Sequence, residues 1–484
     1  MSEMKINKLH MGPAKCALDL GDGSERGEYV NQDYILNKLG RPHRAISLMY
    51  CYYPHDPKWP ARVSEAYVND GSGAWGYPYD DYFTYKGSMT EGNLENEPFK
   101  YMREIRSHGQ DVLLTLTIDP KVEDEHIIAI ARDLRNFGRV MLRINHEATG
   151  NWFSFNKRAT YEEVAAFFAH CCELIHKEAP NVKVILCLDG FKDPNEEKME
   201  KEDIFIDAIK AADIESVDRY LALHWGWPYD IAEEGGVNFA RYSVKNIYAC
   251  TKKSYTRYCE INGMKKPMVL SELNADGDVT GAYDQAQMMI DFANMVKEDP
   301  EKWLDGFTLY QMRDRGRLGL EIEDPNNKEV GIEQPLLDSY KELLFDDYFY
   351  PSMETAEEIS LPQTLRWGGA EDADGLSIPV KLEADPIFCE AYFEDDLVDA
   401  NLMMEINGRW FYKAPGVKCI DFMSAFYKNR LDGAKEVTLK LFAPPATGEN
   451  DPSQGDDWQT NYYYEIKSLP KLRIKYKPIV ETLD

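Results

Sequence analysis

No run of 18 or more apolar residues occurs in this chain, so no membrane-spanning helix is expected. Residues 1–10 lack the apolar core of a secretory signal. The expected compartment is therefore the cytoplasm, or the outside of the cell after removal of a leader. Positive charge is scarce: 55 Lys and Arg stand against 84 Asp and Glu, a net charge of −29. Tight nucleic-acid binding needs cations to neutralise phosphates, so a nucleic-acid partner is not expected. A strongly anionic polymer is disfavoured as a substrate for the same reason. The surplus acid keeps the surface solvated. Cysteine is thinly spread, nine in 484 residues. No Cys-x-x-Cys pair occurs, and a bridge between adjacent Cys171 and Cys172 would be strained. Reduced, buried thiols are expected, a state that leans toward the cytoplasm. The chain also lacks a P-loop motif and a G-x-S-x-G elbow, which leaves P-loop nucleotide and serine-hydrolase chemistry unsupported. No metal site and no cofactor are expected.

What is present is an ordinary globular balance, 44% hydrophobic and 29% charged, over a length that suggests two or more domains. Near-continuous apolar runs fall at residues 15–20, 44–51, 111–118, 139–145, 182–188, 219–225, 267–273 and 306–311. Such runs suit strands buried on both faces, as in parallel sheets. Amphipathic segments lie between them. Residues 161–177 carry Val164, Phe168, Cys171, Cys172 and Ile175 on one stripe, with Thr160 as N-cap. Eight strands alternating with helices predict an α/β fold, a (β/α)₈ TIM barrel over residues 1–345. The long stretch 54–96, rich in Tyr, Gly and Pro and holding Trp59 and Trp75, would be a functional loop after the second strand. Residues 346–364 read as a linker. Residues 365–484 read as a C-terminal all-β sandwich, with strands and turns such as Asn407-Gly408.

The segment Arg143-Ile-Asn-His-Glu-Ala-Thr-Gly-Asn-Trp-Phe153 places Glu147 at the tip of the fourth candidate strand. Pro267-Met-Val-Leu-Ser-Glu-Leu-Asn274 places Glu272 at the tip of the seventh. Two carboxylates on separate strands facing one cavity suit glycoside cleavage. A retaining mechanism needs a proton donor and a nucleophile about 5–5.5 Å apart, and only geometry assigns those roles. The plainer alternatives are a helix-capping or Arg-paired role for Glu147 and an ordinary strand-end carboxylate at Glu272. Glu321 and Glu323 compete for the nucleophile position. Arg143 and Asn145 share a strand face with Glu147. Arg143 either pairs with Glu272 or forms a structural ion pair. Trp225 and Trp227 either fill the core or offer flat rings to a sugar, as do Trp59 and Trp152. The run Arg313-Asp-Arg-Gly-Arg317 reads as a solvated charged loop.

His146-Glu147 followed by Gly150-Asn151-Trp152-Phe153 resembles the His-Glu…Gly-Asn-Trp-Phe signature of glycoside hydrolase family 26. The family belongs to a clan of retaining (β/α)₈ glycosidases with an acid/base on strand 4 and a nucleophile on strand 7. The resemblance implies Glu147 as acid/base and Glu272 as nucleophile. It implies that His146 lies near the 2-hydroxyl of the cleaved sugar and that Trp152 forms a stacking wall. Members cleave β-mannans, certain β-xylans and mixed-linkage β-glucans. The clan's strand 6 tyrosine has no match in Leu223-His-Trp-Gly-Trp227, so His224 or Tyr229 is expected in its place. Tyr310-Gln311 stands where many relatives carry Trp.

The substrate-binding candidates are thus Arg143, Asn145, His146, Trp152, His224, Trp225, Trp227 and Tyr310. The expected function is that of a retaining endo-β-glycosidase acting on a plant or algal polysaccharide, β-mannan first. The alternatives are a sister-family glycosidase of the same clan and a non-catalytic carbohydrate-binding protein on the same scaffold. In the C-terminal domain Trp367, Trp410 and Trp458 are ligand candidates, with core packing the plainer reading for Trp410.

Overall fold

The computed structural model describes residues 5–22, 29–66, 83–90, 94–199, 201–222, 243–314, 316–427, 431, 436–446, 458 and 460–477. Eight parallel strands form its centre: β1 (Ala17–Gly21), β2 (Ala45–Tyr52), β3 (Asp111–Ile118), β4 (Val140–Ile144), β5 (Val182–Leu188), β6 (Ile214–Val217), β7 (Met268–Asn274) and β8 (Gly306–Leu309). Each pairs with the next, and β8 returns to β1 with Phe307 opposite Leu18, which closes the TIM barrel. Apart from Lys183, every barrel-strand residue is buried. Helices cover the outside and side chains fill the inside, so the strands read as apolar runs rather than alternations.

The sixth strand differs from the expectation of 219–225. It begins at Ile214, and after Val217 a short continuation, Arg219–Tyr220, pairs with Leu273 and Asn274 of β7. Its apolar character is broken by Glu215 and Ser216, both buried. Asn262 donates to Glu215, and Ser216 Oγ lies 2.6 Å from Ser271 Oγ. Burial pushes the Glu215 carboxyl up to about 8. Those internal partners let polar residues occupy a core strand, and the more apolar stretch downstream drew the expected strand too late.

The helix Tyr161–Glu178 begins at Thr160 with a reciprocal capping box, Thr160 Oγ1 accepting from Glu163 N and Glu163 accepting from Thr160 N. Its buried stripe contains Val164, Phe168, Cys171, Cys172 and Ile175. None of the nine cysteines forms a disulfide. No helix among the described residues is long and apolar enough to cross a membrane.

The C-terminal region is built from antiparallel sheets. Ile6–Gly12 pairs with both Ser352–Ile359 and Asp372–Lys381, and the sheet continues through Glu436–Phe442, Leu402–Ile406 and Arg409–Lys413. A smaller sheet joins Cys419–Asp421, Pro386–Tyr392 and Lys471–Tyr476. Leu376, Ile378, Cys389, Ala391, Met404 and Leu439 fill the space between them as a sandwich core. The segment expected as a linker thus contributes a strand at 352–359, and the N-terminal residues expected in the barrel supply its neighbour. Apolar residues alternate too little in Ser352–Ile359 to announce a strand, because the strand is mostly exposed.

The opposite face of the large sheet packs on the barrel. Met403, Trp410 and Phe442 meet Leu36 of the helix Gln32–Leu39. Asn401 donates to Ser107 O at 2.7 Å, and Trp410 N donates to Gly40 O at 2.9 Å. Trp458 packs against Ala45, Leu113, Met141, Ile185, Ile214 and Val269, the first turns of the barrel floor. Trp367 and Trp410 are buried. The three tryptophans expected as ligand candidates are therefore packed in or against cores.

Candidate active site

Active sites on this fold sit at the C-terminal ends of the strands, where loops leave a rigid ring. At the end of β4 the backbone turns sharply. Asn145 (φ 48°) and Glu147 (φ 50°) both take left-handed conformations, which non-glycine residues hold only with support. Three contacts supply it. Ile118 N donates to Asn145 Oδ1 at 2.6 Å, Ala148 N to Cys187 O at 3.1 Å, and Gly150 N to Glu147 O at 2.8 Å. The last residues of the turn fold Trp152 back so that its Nε1 donates to Glu147 Oε2 at 2.6 Å. A Cβ at Gly150 would lie 2.5 Å from the Trp152 ring, so this return requires glycine. The Gly-Asn-Trp part of the motif thereby acquires a physical reason.

Glu272, on β7, is buried and held at both oxygens. Arg143 Nη2 donates to Oε1 at 2.8 Å and Tyr220 Oη to Oε2 at 2.6 Å. Both contacts suit an acceptor-only, ionised carboxylate. Arg143 is fully buried and also donates to Thr115 Oγ1 at 2.8 Å and to Asp218 at 3.0 and 3.1 Å. It thus carries two carboxylates at once, so the expected pairing with Glu272 and a structural ion pair are both present.

Glu147 is in the opposite electrostatic state. Burial raises its carboxyl well above the ordinary value near 4.5, and the nearby charges of Asp218, Glu272 and Asp189 raise it further against the Trp152 indole. Asp218 is itself raised by burial and by Glu272, with Arg143 opposing. The site therefore sets a carboxyl pushed up by burial and neighbouring charge, at Glu147, beside one bonded by an arginine and a tyrosine, at Glu272. His146 is buried, with its ring 4.4 Å from Phe153 and its Nε2 3.9 Å from Glu272 Oε1, too far for a direct hydrogen bond. Burial, then Arg143, pushes its pKa well below the usual histidine value, so the imidazole is neutral.

Arg143, Asn145, His146, Glu147, Trp152 and Glu272 are thus brought together or directly linked. Tyr310 joins them through its ring edge, 5.9 Å from Tyr220. Asn145 directs its oxygen to the backbone of β3 rather than outward. His224, Trp225, Trp227, Tyr229 and Trp75 lie outside the described residues. Glu321 sits elsewhere, bonded by Tyr34 Oη at 2.6 Å and by Arg313 at 2.9 Å. Trp59 donates to Ser154 O at 3.0 Å and lies under the Arg158 guanidinium.

Sequence reasoning missed Tyr220 and Asp218. Placing the sixth strand five residues earlier exposes the signal: Tyr220 then falls beside the strand tip, where a hydroxyl reaches the β7 carboxylate. Tyr220→Phe is expected to lower kcat by about 10- to 100-fold with KM nearly unchanged, the worth of one hydrogen bond to a charged group. Steady-state kinetics check this, and an unchanged kcat would show that the hydroxyl does not position Glu272.

Fold and site define a TIM barrel whose C-terminal mouth holds two buried carboxyl groups, Glu147 bonded by the Trp152 indole and Glu272 by Arg143 and Tyr220. No family profile matches the chain, and no curated protein matches it. Solved structures with a similar fold include an endo-β-1,4-mannanase of glycoside hydrolase family 26 from Cellulomonas fimi, at 12% identity over 93% of each chain with a TM-score of 0.42. A family 26 β-mannanase from Bacteroides ovatus matches at 11% identity over 69% of this chain and 90% of that one, TM-score 0.43. A glucosidase from Croceicoccus marinus matches at 10% identity over 90% of this chain and 96% of that one, TM-score 0.44.

Proposed function

We propose that this protein is a retaining endo-β-glycosidase, with Glu147 as acid/base and Glu272 as nucleophile. The observation that supports this most is the different setting of the two carboxyl groups, Glu147 buried against the Trp152 indole and Glu272 bonded at both oxygens by Arg143 and Tyr220. Attack by a Glu272 oxygen on the anomeric carbon breaks the glycosidic C–O bond, while Glu147 gives its proton to the leaving oxygen. The resulting glycosyl ester is opened by water, whose proton returns to Glu147 as the C–O bond to Glu272 breaks. Glu147 needs a raised pKa for the first half, and its burial, aided by the nearby charges of Asp218 and Glu272, supplies one. Neutral His146, beside the nucleophile, suits a hydrogen bond to a sugar hydroxyl without adding charge.

A plant or algal β-glycan is the substrate class, with β-mannan first because of the His-Glu…Gly-Asn-Trp-Phe resemblance. The test is release of reducing ends from mannan, galactomannan, glucomannan, xylans and mixed-linkage glucan by wild type and Glu147→Gln. Activity on one polymer, lost in the variant, is the expected result. Binding of a glycan without any release of reducing ends would overturn catalysis in favour of a carbohydrate-binding protein.

The raised Glu147 pKa also fixes a pH signature. Activity falls as pH rises through that value, because the donor loses its proton. Stability follows the same direction. The folded state holds this proton more tightly than the unfolded chain, whose value is near 4.5. Wild type therefore matches Glu147→Gln below that pH and loses stability relative to it as pH rises. Thermal denaturation of both proteins from pH 4 to 9 checks the sign; parallel curves would show that Glu147 is not shifted.

A further inference from the structure

We infer that His55, Glu123 and His126 form a binding site for one zinc-type divalent transition-metal ion on the face of the barrel that holds the two carboxyl groups. β2 and β3 pair in register up to Tyr52 opposite Ile118, so the loops that follow them emerge side by side. His55 lies in the first loop. Glu123 and His126 lie at the start of the helix Asp124–Leu134 that follows the second. His55 Nε2 is 2.8 Å from Glu123 Oε2, and His126 Nε2 is 3.8 Å from the same oxygen. One donor atom from each residue falls within 4.8 Å of the others. Donors around a tetrahedral zinc ion, each about 2.0–2.2 Å from the metal, stand roughly 3.3 Å apart. Small side-chain rotations close the difference, and the 56% and 60% exposure of the His55 and Glu123 side chains leaves them free to make those rotations.

The third ligand is already fixed. His126 is buried on the inner side, with Nδ1 2.6 Å from the hydroxyl of Tyr52, itself fully buried at the end of β2. When Nδ1 carries the proton and donates to Tyr52, the Nε2 lone pair faces Glu123. This is the outer hydrogen bond that orients metal-bound imidazoles. Two imidazoles and one carboxylate suit zinc and its neighbours, whereas calcium and magnesium favour oxygen donors. Solvent completes the fourth position. Asp124 and Glu125 on the first helical turn add negative charge, and Arg158, which reaches this loop, is neutralised by Asp56 and Asp119.

The ion would tie the β2 loop to the β3 helix. The same loop carries Tyr53 and Trp59, which bond Ser154 Oγ and Ser154 O. Ser154 lies two residues beyond the Trp152 that bonds Glu147. The metal therefore braces one wall of the cleft without entering the chemistry. The sequence signal is the Glu-x-x-His spacing of Glu123 and His126; His55 joins only through the barrel.

The test uses the full chain, free of affinity tags and stripped with EDTA. Zinc(II) titrated against a chromogenic chelator is expected to bind one per chain at micromolar or lower Kd and to raise Tm. Cobalt(II) in its place is expected to show the intense visible bands of tetrahedral coordination. His55→Ala and Glu123→Gln, at exposed positions, should weaken binding by about a hundredfold or more with metal-free Tm unchanged. Tyr52→Phe should weaken it by about 10- to 100-fold. His170→Ala, beside Asp124 but outside the site, should bind as wild type does. Equal zinc affinity in wild type and His55→Ala, or no binding up to millimolar zinc, overturns the site.

Discussion

Glu272→Ala is expected to lower kcat on polysaccharide by about four orders of magnitude or more, because the proposed double displacement then lacks the nucleophile that Arg143 and Tyr220 hold in place. The loss has a chemical signature beyond inactivity. On an activated aryl β-glycoside the leaving group departs without help from Glu147. Azide entering the space vacated by Glu272 then attacks the anomeric carbon from the nucleophile's side, displaces the aryl oxide and yields the α-glycosyl azide. Turnover of that substrate in azide should recover. In Glu147→Ala the glycosyl ester on Glu272 still forms, azide opens it from the opposite face, and the β-azide results. Product configuration by NMR therefore assigns the two roles independently. A β-azide from Glu272→Ala, or wild-type activity in that variant, would remove Glu272 from the nucleophile position.

Arg143→Met should destabilise the barrel by about 3–5 kcal/mol. Met fills similar volume, so packing changes little. What disappears is the only cation bonded, among the described residues, to both Asp218 and Glu272. Both carboxylates stay buried, and their mutual repulsion, which already raises Asp218, is left uncompensated. Chemical denaturation measures the loss. The double variant Arg143→Met, Asp218→Asn separates the causes, since removing one trapped charge should restore a large part of the stability. No recovery would mean that lost packing, not charge, explains the effect. Asp218 thus ties stability to the same arginine that orients Glu272.

The legible parts of this protein share a local origin. Runs such as Val112-Leu-Leu-Thr-Leu116 and Val140-Met-Leu142 read as strands because both faces are buried, so composition alone reports them. Thr160 and Glu163 announce a helix start because a capping box spans four consecutive residues. The carboxylates at Glu147 and Glu272 stand out because each ends such a run. Legibility failed where burial is compensated by distant partners. Glu215 and Ser216 are tolerated in β6 by Asn262 and Ser271, which no nearby sequence reveals. That single error shifted the strand tip and hid Tyr220 and Asp218. Ser352–Ile359 passed for a linker because its partner, Ile6–Gly12, is more than 300 residues away.

The sequence by itself determined the alternating α/β rhythm, the eight-strand barrel, the following β-rich region and the placing of Glu147 and Glu272 near the ends of apolar runs. These depend on periodicity and composition, which act over a few residues. Tertiary structure alone decided that Glu147 is buried against Trp152, that Arg143 serves two carboxylates, that Tyr220 holds the second oxygen of Glu272, and that His55 meets Glu123 and His126. Each of these depends on distance through a low-dielectric interior between residues far apart in the chain. Local pattern encodes no such distance; the closed barrel sets it by fixing where every strand tip ends.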